Sequence, residues 1–233
     1  MKRPIVAIDG PAGAGKSTVA RLVADRLGYL LLDTGALYRT VALAAKRAGI
    51  PWGDEAAVTG LTETLVRDGA IRLERGGDGA LRTLLRGEDV STLIRTQELA
   101  EGASRVSAIA GVREALLTIQ RSAVSANGVV LEGRDIGTVV FPDAQAKFFL
   151  TASVEVRARR RFDELRSRGQ SPELERVHEE VVERDRRDST RPVAPLRQAP
   201  DAVLIDSSAL SVEAVVDRIV ERVRAIEREL EQS

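Results

Sequence analysis

The chain has no cysteine, which excludes disulfide bonds, thiolate nucleophiles and cysteine-held metal sites. It has one histidine, His178, so a cluster of histidine ligands cannot form within one chain. His178 lies between Val177 and Glu179 in a charged stretch and reads as a surface residue. The only asparagine, Asn127, stands in Ala-Asn-Gly-Val, so the Asn-Lys-x-Asp element with which GTPase switches read guanine is missing. No apolar strand ending in Asp-Glu, as a regulatory ATPase would carry, is evident. Lysine is scarce: Lys2, Lys16, Lys46 and Lys147 stand against thirty-one arginines, a bias that fits a GC-rich genome. No apolar run is long enough to span a membrane, and Met1 to Ile8 lacks the long apolar core and cleavage site of a secretory signal. The expected setting is therefore cytoplasmic. The formal net charge is 0, so no overall field draws the chain to nucleic acid or to a membrane, and neither is expected as a partner. Any anion site must come from local arrangement of charge.

The 233 residues are 43% hydrophobic, enough to bury a sizeable core, and 30% charged. Pro4 to Ile8 reads as a buried strand broken by Asp9-Gly10-Pro11. Val19, Leu22, Val23 and Leu27 recur at helical spacing until Gly28. Tyr29 to Leu32 reads as a second strand and Thr34 to Ala48 as a second helix, closed by Gly49 and Pro51. Strand and helix in alternation predict an α/β fold with a parallel sheet between helices. The texture changes after Gly60. Ile71 to Glu74 alternates apolar and charged residues, Gly76-Gly77-Asp78-Gly79 signals a turn, Leu81 to Leu85 reads as the partner strand, and a third short piece is expected near Val90. A small antiparallel insertion is predicted over roughly residues 62–95. Helical spacing runs from Glu98 to Ala126; Val129 to Leu131 and Ala146 to Leu150 read as buried strands. Ser153 to Arg168 is a basic helix, Glu173 to Arg187 a charged helix, Ala202 to Ile205 a strand and Ser211 to Leu230 an amphipathic closing helix.

Gly10-Pro11-Ala12-Gly13-Ala14-Gly15-Lys16-Ser17 matches G-x-x-x-x-G-K-[ST], after a strand and before a helix. Glycines let the backbone wrap so that its N–H groups point at phosphate oxygens, and the helix start adds its positive end. Lys16 reaches the β- and γ-phosphates, Ser17 is placed to ligate Mg²⁺, and Thr18 adds a contact near the α-phosphate. The loop specifies a nucleoside triphosphate and leaves open what is done with it. A kinase needs a second anion site facing the loop. Asp33 to Arg39 and Glu132-Gly133-Arg134-Asp135 each follow a strand, at the sheet edge where doubly wound folds bind ligands. Arg157, Arg160 and Arg161 share one helix face, and Arg184, Asp188 and Arg191 follow. Another P-loop monophosphate kinase, of adenylate or uridylate type, and a nucleotide-binding module without transfer activity remain alternatives.

In chain order, Ile8-Asp9-Gly10-Pro11, Leu32-Asp33-Thr34-Gly35-Ala36-Leu37-Tyr38-Arg39, Gly87-Glu88-Asp89-Val90, Ile94-Arg95-Thr96-Gln97-Glu98, Gly133 to Pro142, Glu183-Arg184-Asp185 and Arg191-Pro192-Val193-Ala194-Pro195-Leu196 resemble the bacterial cytidylate kinases nearly end to end. Two departures stand out. Thr34 replaces a frequent serine and keeps its hydroxyl, and the loop reads Pro11-Ala12-Gly13 and Lys16-Ser17-Thr18 where the family often has Pro-Ser-Gly or Lys-Gly-Thr. The resemblance implies a three-layer P-loop NTPase fold with a central parallel sheet, a small antiparallel-sheet insertion in the monophosphate-binding region and a short helical lid. It implies one domain over 1–233, with core segments 1–60, 105–152 and 192–233, the insertion near 61–104 and the lid near 153–191.

The same resemblance implies a monomer that transfers the γ-phosphoryl group of ATP, with Mg²⁺, to CMP or dCMP. Gly10, Pro11, Ala12, Gly13, Ala14, Gly15, Lys16, Ser17 and Thr18 would bind ATP. Thr34, Arg39, Ser104, Arg113, Arg134, Asp135, Arg184, Asp188 and Arg191 would line the monophosphate site. Within it Ser104, Arg113 and Asp135 would read the cytosine edge, Arg39, Arg134 and Arg191 would hold the acceptor phosphate, and Arg184 and Asp188 would lie near the ribose. Lys16, Arg134 and the lid residues Arg157, Arg160 and Arg161 would be catalytic. The acceptor is already an anionic phosphate oxygen, so no general base is needed and the lack of a catalytic histidine does not count against transfer.

Overall fold

The computed structural model describes residues 3–76, 81–124 and 127–232. The apolar run after Arg3 becomes β1 (Arg3–Asp9), with Val6, Ala7 and Ile8 fully buried. Successive strand residues point to opposite faces. Val6 and Ile8 accordingly pack with Val19, Val23, Val216 and Ile219 on one side, while Ile5 and Ala7 join Leu32, Leu131 and Ile136 on the other. A strand covered on both faces belongs inside a parallel sheet. β2 (Leu30–Asp33), β6 (Asn127–Gly133), β7 (Ala146–Thr151) and β8 (Val203–Asp206) complete it in the order β2-β6-β1-β7-β8, all parallel.

α1 (Lys16–Leu27) and α8 (Val212–Gln232) cover one face of this sheet. α2 (Thr34–Arg47), α3 (Glu55–Arg67), α4 (Gln97–Val106) and α5 (Ala110–Ser122) build a second core around Leu37, Val41, Val58, Leu65, Leu99 and Leu116. Against it lies the separate sheet β3 (Ile71–Arg75), β4 (Leu81–Leu85) and β5 (Glu88–Asp89). Leu85 pairs with Glu88 across a two-residue turn in which Arg86 and Gly87 both have positive φ, 52° and 83°. Both values are what the right-handed twist of a tight hairpin asks for. α6 (Val154–Ser167) and α7 (Leu174–Thr190) pack on each other beyond β7.

Three local expectations change. The antiparallel insertion begins at Ile71, not near residue 62, because Asp54 caps α3 by accepting from Ala57 N at 3.0 Å and Val58, Thr62 and Leu65 bury one helical face. The helical run from Glu98 is two helices. It breaks between Val106 and Ala110, where Arg113 Nη1 donates to Ser107 O at 3.2 Å; its expected end at Ala126 and the turn over residues 77–79 lie outside the described residues. Residues Ile136–Val140 form a π-helix, whose first two N–H groups, of Ile136 and Gly137, donate to the buried Asp9 carboxylate at 2.8 Å each. His178 is half-buried on α7.

Candidate active site

Five parallel strands end on one edge, and the segments leaving them meet there. The chain leaves β1 at Gly10, with φ at +150°, where an added Cβ would come 1.9 Å from Leu150 O of β7. Only glycine lets the backbone pass this close. The loop then wraps to α1, whose first residue, Lys16, is buried and donates through Nζ to Pro11 O at 2.7 Å. Burial, with Arg134 adding repulsion, holds its amine well below the ordinary lysine value; Glu132 pulls the other way.

Ser17 Oγ donates to Glu132 Oε2 at 2.8 Å. Glu132 ends the apolar stretch Val129-Val130-Leu131 of β6, beside β1. Burial pushes its carboxyl up to about 7, with Asp33 raising it further and Lys16 opposing. Thr34 Oγ1 donates to Glu132 O at 2.7 Å, and Asp33 both caps α2, accepting from Ala36 N at 3.2 Å, and pairs with Arg39. In the sequence Asp33 and Glu132 stand only as members of their strand-end segments, with no role of their own. Each is the single acid at the end of an apolar strand, and that was the available signal, weaker than the Asp-Glu pair sought. Ser17, Glu132 and Asp33 are hard oxygen donors of the kind a small divalent cation takes.

A cavity of about 640 Å³ separates the loop from a second wall. That wall is built from α2, α4, α5, the turn after β6, and α7. All nine residues expected to line a monophosphate site open onto the cavity: Thr34, Arg39, Ser104, Arg113, Arg134, Asp135, Arg184, Asp188 and Arg191. They are tied to each other. Asp135 pairs with Arg113 and, at 3.3 Å, with Arg191. Asp188 pairs with Arg134 at 3.0 Å and accepts from Ser104 Oγ at 3.4 Å. Burial works against the charge on Asp188, but Arg134 and Arg184 hold it below the ordinary carboxylate value. Arg184, on the next turn of α7, is pulled down to about 10 by burial and by Arg134. Its Nε is buried without a partner, as is Nε of Arg39. Four arginines thus converge around two buried carboxylates, and Arg39 beside Asp33 adds a fifth to a wall with donors to spare. Such a surplus suits a bound phosphate, which accepts from guanidinium forks at short distance.

Ala12 to Thr18 line the opposite side, with Gly10 and Pro11 behind them. Arg160 and Arg161 of α6 reach the cavity; Arg160 donates to Ser207 O at 2.8 Å and Arg161 pairs with Glu164 at 2.7 Å. Arg157 does not line it. Its guanidinium is buried against Ala12 O, Ala152 O and Asp185. Tyr38, Ser107 and Ser207 also line the cavity; Ser107 and Ser207 were not singled out in the sequence, since a lone hydroxyl carries no pattern.

The cytidylate kinase family model matches residues 6–225. The chain belongs to the cytidylate kinase family. It is 53% identical over 224 residues to a cytidylate kinase of Geobacter sulfurreducens, covering 96% of this chain and 94% of that one. It is 51% identical over 217 residues to a cytidylate kinase of Pseudomonas aeruginosa, covering 93% of each. Among solved structures, an uncharacterized protein from Eubacterium ventriosum aligns over 95% of this chain and 99% of its own with a TM-score of 0.50 and 11% identity, a likeness of fold alone. Family membership places the two-walled cavity in a kinase. Among the described residues no helix is long and apolar enough to cross a membrane.

Proposed function

We propose that this chain transfers the γ-phosphoryl group of ATP to CMP or dCMP, giving ADP and CDP or dCDP. The observation that carries the reading is the phosphate loop facing, across one cavity, a wall of paired and unpaired arginines with two buried carboxylates. Mg²⁺ would be held by Ser17, with Glu132 and Asp33 close enough to orient its water; when bound it neutralises the β- and γ-phosphate oxygens. Among the described residues no group of three histidine, aspartate or glutamate side chains is placed to hold a metal ion.

Catalysis by this chain's own groups is positioning and charge stabilisation. Lys16 leaves Pro11 O to meet the transferred group. Arg39, Arg134 and Arg191 hold the acceptor phosphate in line, and Arg160 and Arg161 close on the donor side, where they keep water from the reaction. Asp135 accepts from the exocyclic amine of cytosine. Uracil presents a carbonyl there, which would face a buried carboxylate. The test is ADP release from ATP and Mg²⁺ with CMP, dCMP, UMP, AMP and GMP supplied one at a time. Release with CMP and dCMP, weak release with UMP and none with purines is the expected result. Preference for a purine would overturn the roles of Ser104, Arg113 and Asp135, and no acceptor-dependent release would overturn transfer itself.

A further inference from the structure

Arg157 lies on the first turns of α6, beside two arginines that reach the cavity, yet its side chain is 5% exposed and turned the other way. Every nitrogen of its guanidinium meets a protein oxygen. Nε donates to Ala152 O at 2.8 Å, Nη1 donates to Ala12 O at 3.1 Å, and Nη2 lies 2.7 Å from Asp185 Oδ2. These oxygens belong to three different structural parts: the exit of β7, the phosphate loop and α7. The loop also packs directly on α6. Gly13 has φ at +75°, and a Cβ there would come 3.1 Å from both Cβ and O of Arg157.

Asp185 immediately follows Arg184. Residues 184, 188 and 191 fall at helical spacing on the face of α7 that meets the acceptor wall, and Asp185 is one step round, facing α6. The second oxygen of Asp185, Oδ1, is buried with no hydrogen-bond partner. The carboxylate therefore depends on Arg157, and the height of α7 depends on that pair. A guanidinium is a planar fork of fixed geometry, so it cannot follow one partner without pulling on the others.

We propose that Arg157 is a positioning residue that couples the two nucleotide subsites: through Ala12 it holds the phosphate loop, and through Asp185 it sets α7 and with it Arg184 and Asp188. The inference rests on the reading above, with ATP on the loop and the monophosphate against α7. Each nucleotide then favours the same placement of one rigid fork, and binding of one strengthens binding of the other.

Calorimetric titration of the full chain with CMP, alone and with a saturating non-hydrolysable ATP analogue and Mg²⁺, reads this coupling. The wild-type protein is expected to bind CMP about ten-fold tighter with the analogue present. Asp185→Asn and Arg157→Ala are expected to bring that factor to within about two-fold of unity, and affinity for CMP alone is expected to fall as well, because α7 loses the pair that sets Arg184 and Asp188. Arg157→Lys, whose ammonium cannot span all three oxygens, should fall between. In steady state the KM for CMP of the variants should cease to depend on ATP concentration. Asp185→Asn keeps the shape of the side chain and decides the matter if Arg157→Ala does not fold. A folded Asp185→Asn or Arg157→Lys protein with the wild-type coupling factor, whatever its melting temperature, overturns the proposal. So does a wild-type protein that binds both nucleotides without coupling. Wild-type protein that binds the analogue but no CMP overturns the acceptor-site reading and this proposal with it.

Discussion

Arg113 and Asp135 form an ion pair in which each side chain is only 7% exposed. The other oxygen of Asp135 lies 3.3 Å from Arg191 Nη2. The carboxylate assigned to cytosine is thus held between two cations. Each oxygen keeps a lone pair for the base amine.

Asp135→Ala should therefore change two things at once. Removing the anion from between two buried arginines costs about 3–5 kcal/mol, read as a lower melting temperature. In the folded fraction the ratio of kcat/KM for CMP over UMP should fall by about ten-fold or more, because the buried acceptor that disfavours uracil is gone. A lower melting temperature with an unchanged ratio would remove Asp135 from base recognition.

Lys16→Ala should reduce turnover by about 10²–10³-fold or more while leaving the fold intact. The buried amine is held down by its surroundings, so its loss does not weaken the apo protein. Circular-dichroism melting and ADP release on the same preparation check both halves. Wild-type kinetics would remove the loop from catalysis.

Arg39, which opens onto the cavity, keeps a buried Nε without a partner, a donor that a bound phosphate can take. CMP should raise the melting temperature well above what cytidine achieves. Arg39→Met should weaken CMP binding by about 2–3 kcal/mol and narrow the gap between CMP and cytidine. Thermal shift with the two ligands on both proteins measures it; equal shifts by CMP and cytidine in the wild type would place the phosphate elsewhere.

Asp9 supplies a pH signature independent of the ligands. Its carboxyl is pushed up from 3.8 to about 6, first by burial, with the N–H groups of Ile136 and Gly137 resisting. A raised folded-state value means the folded protein holds a proton that the unfolded chain has lost. The stabilising contribution is complete below about pH 3.8 and fades as pH rises through about 6. Asp9→Asn lacks this fade. Its stability relative to wild type should therefore improve by about 2–3 kcal/mol between pH 4 and pH 7, even though the amide makes one of the two backbone bonds less well. Urea unfolding at the two pH values checks the slope; a constant difference would mean that Asp9 stays ionised.

The strand-helix alternation, the five strands of the parallel sheet and the phosphate loop were legible because each is a local pattern. Periodicity in Val19 to Leu27 and the glycines before Lys16 act within one turn of chain. Legibility failed where a local pattern was continuous but packing was not. Nothing in the spacing after Glu98 announces the break at Ser107, which is held by a side chain arriving from Arg113. The π-helix at Ile136–Val140 is likewise held from outside, by Asp9, 127 residues earlier.

The arginines divide along the same line. Arg157, Arg160 and Arg161 share a face by helical spacing, and from spacing alone all three look alike. What separates them is what lies opposite: Arg160 and Arg161 meet open cavity, while Arg157 meets Ala12, 145 residues away in sequence. The pairing of Ser17 with Glu132, across 115 residues, is of the same kind. By itself the sequence determined the loop, the sheet and the identity of the charged residues, since propensity and periodicity are short-range. Only the tertiary structure decided which charges meet each other, which are left for a phosphate and which brace the loop, because burial and Coulomb interaction depend on distance in space and not along the chain.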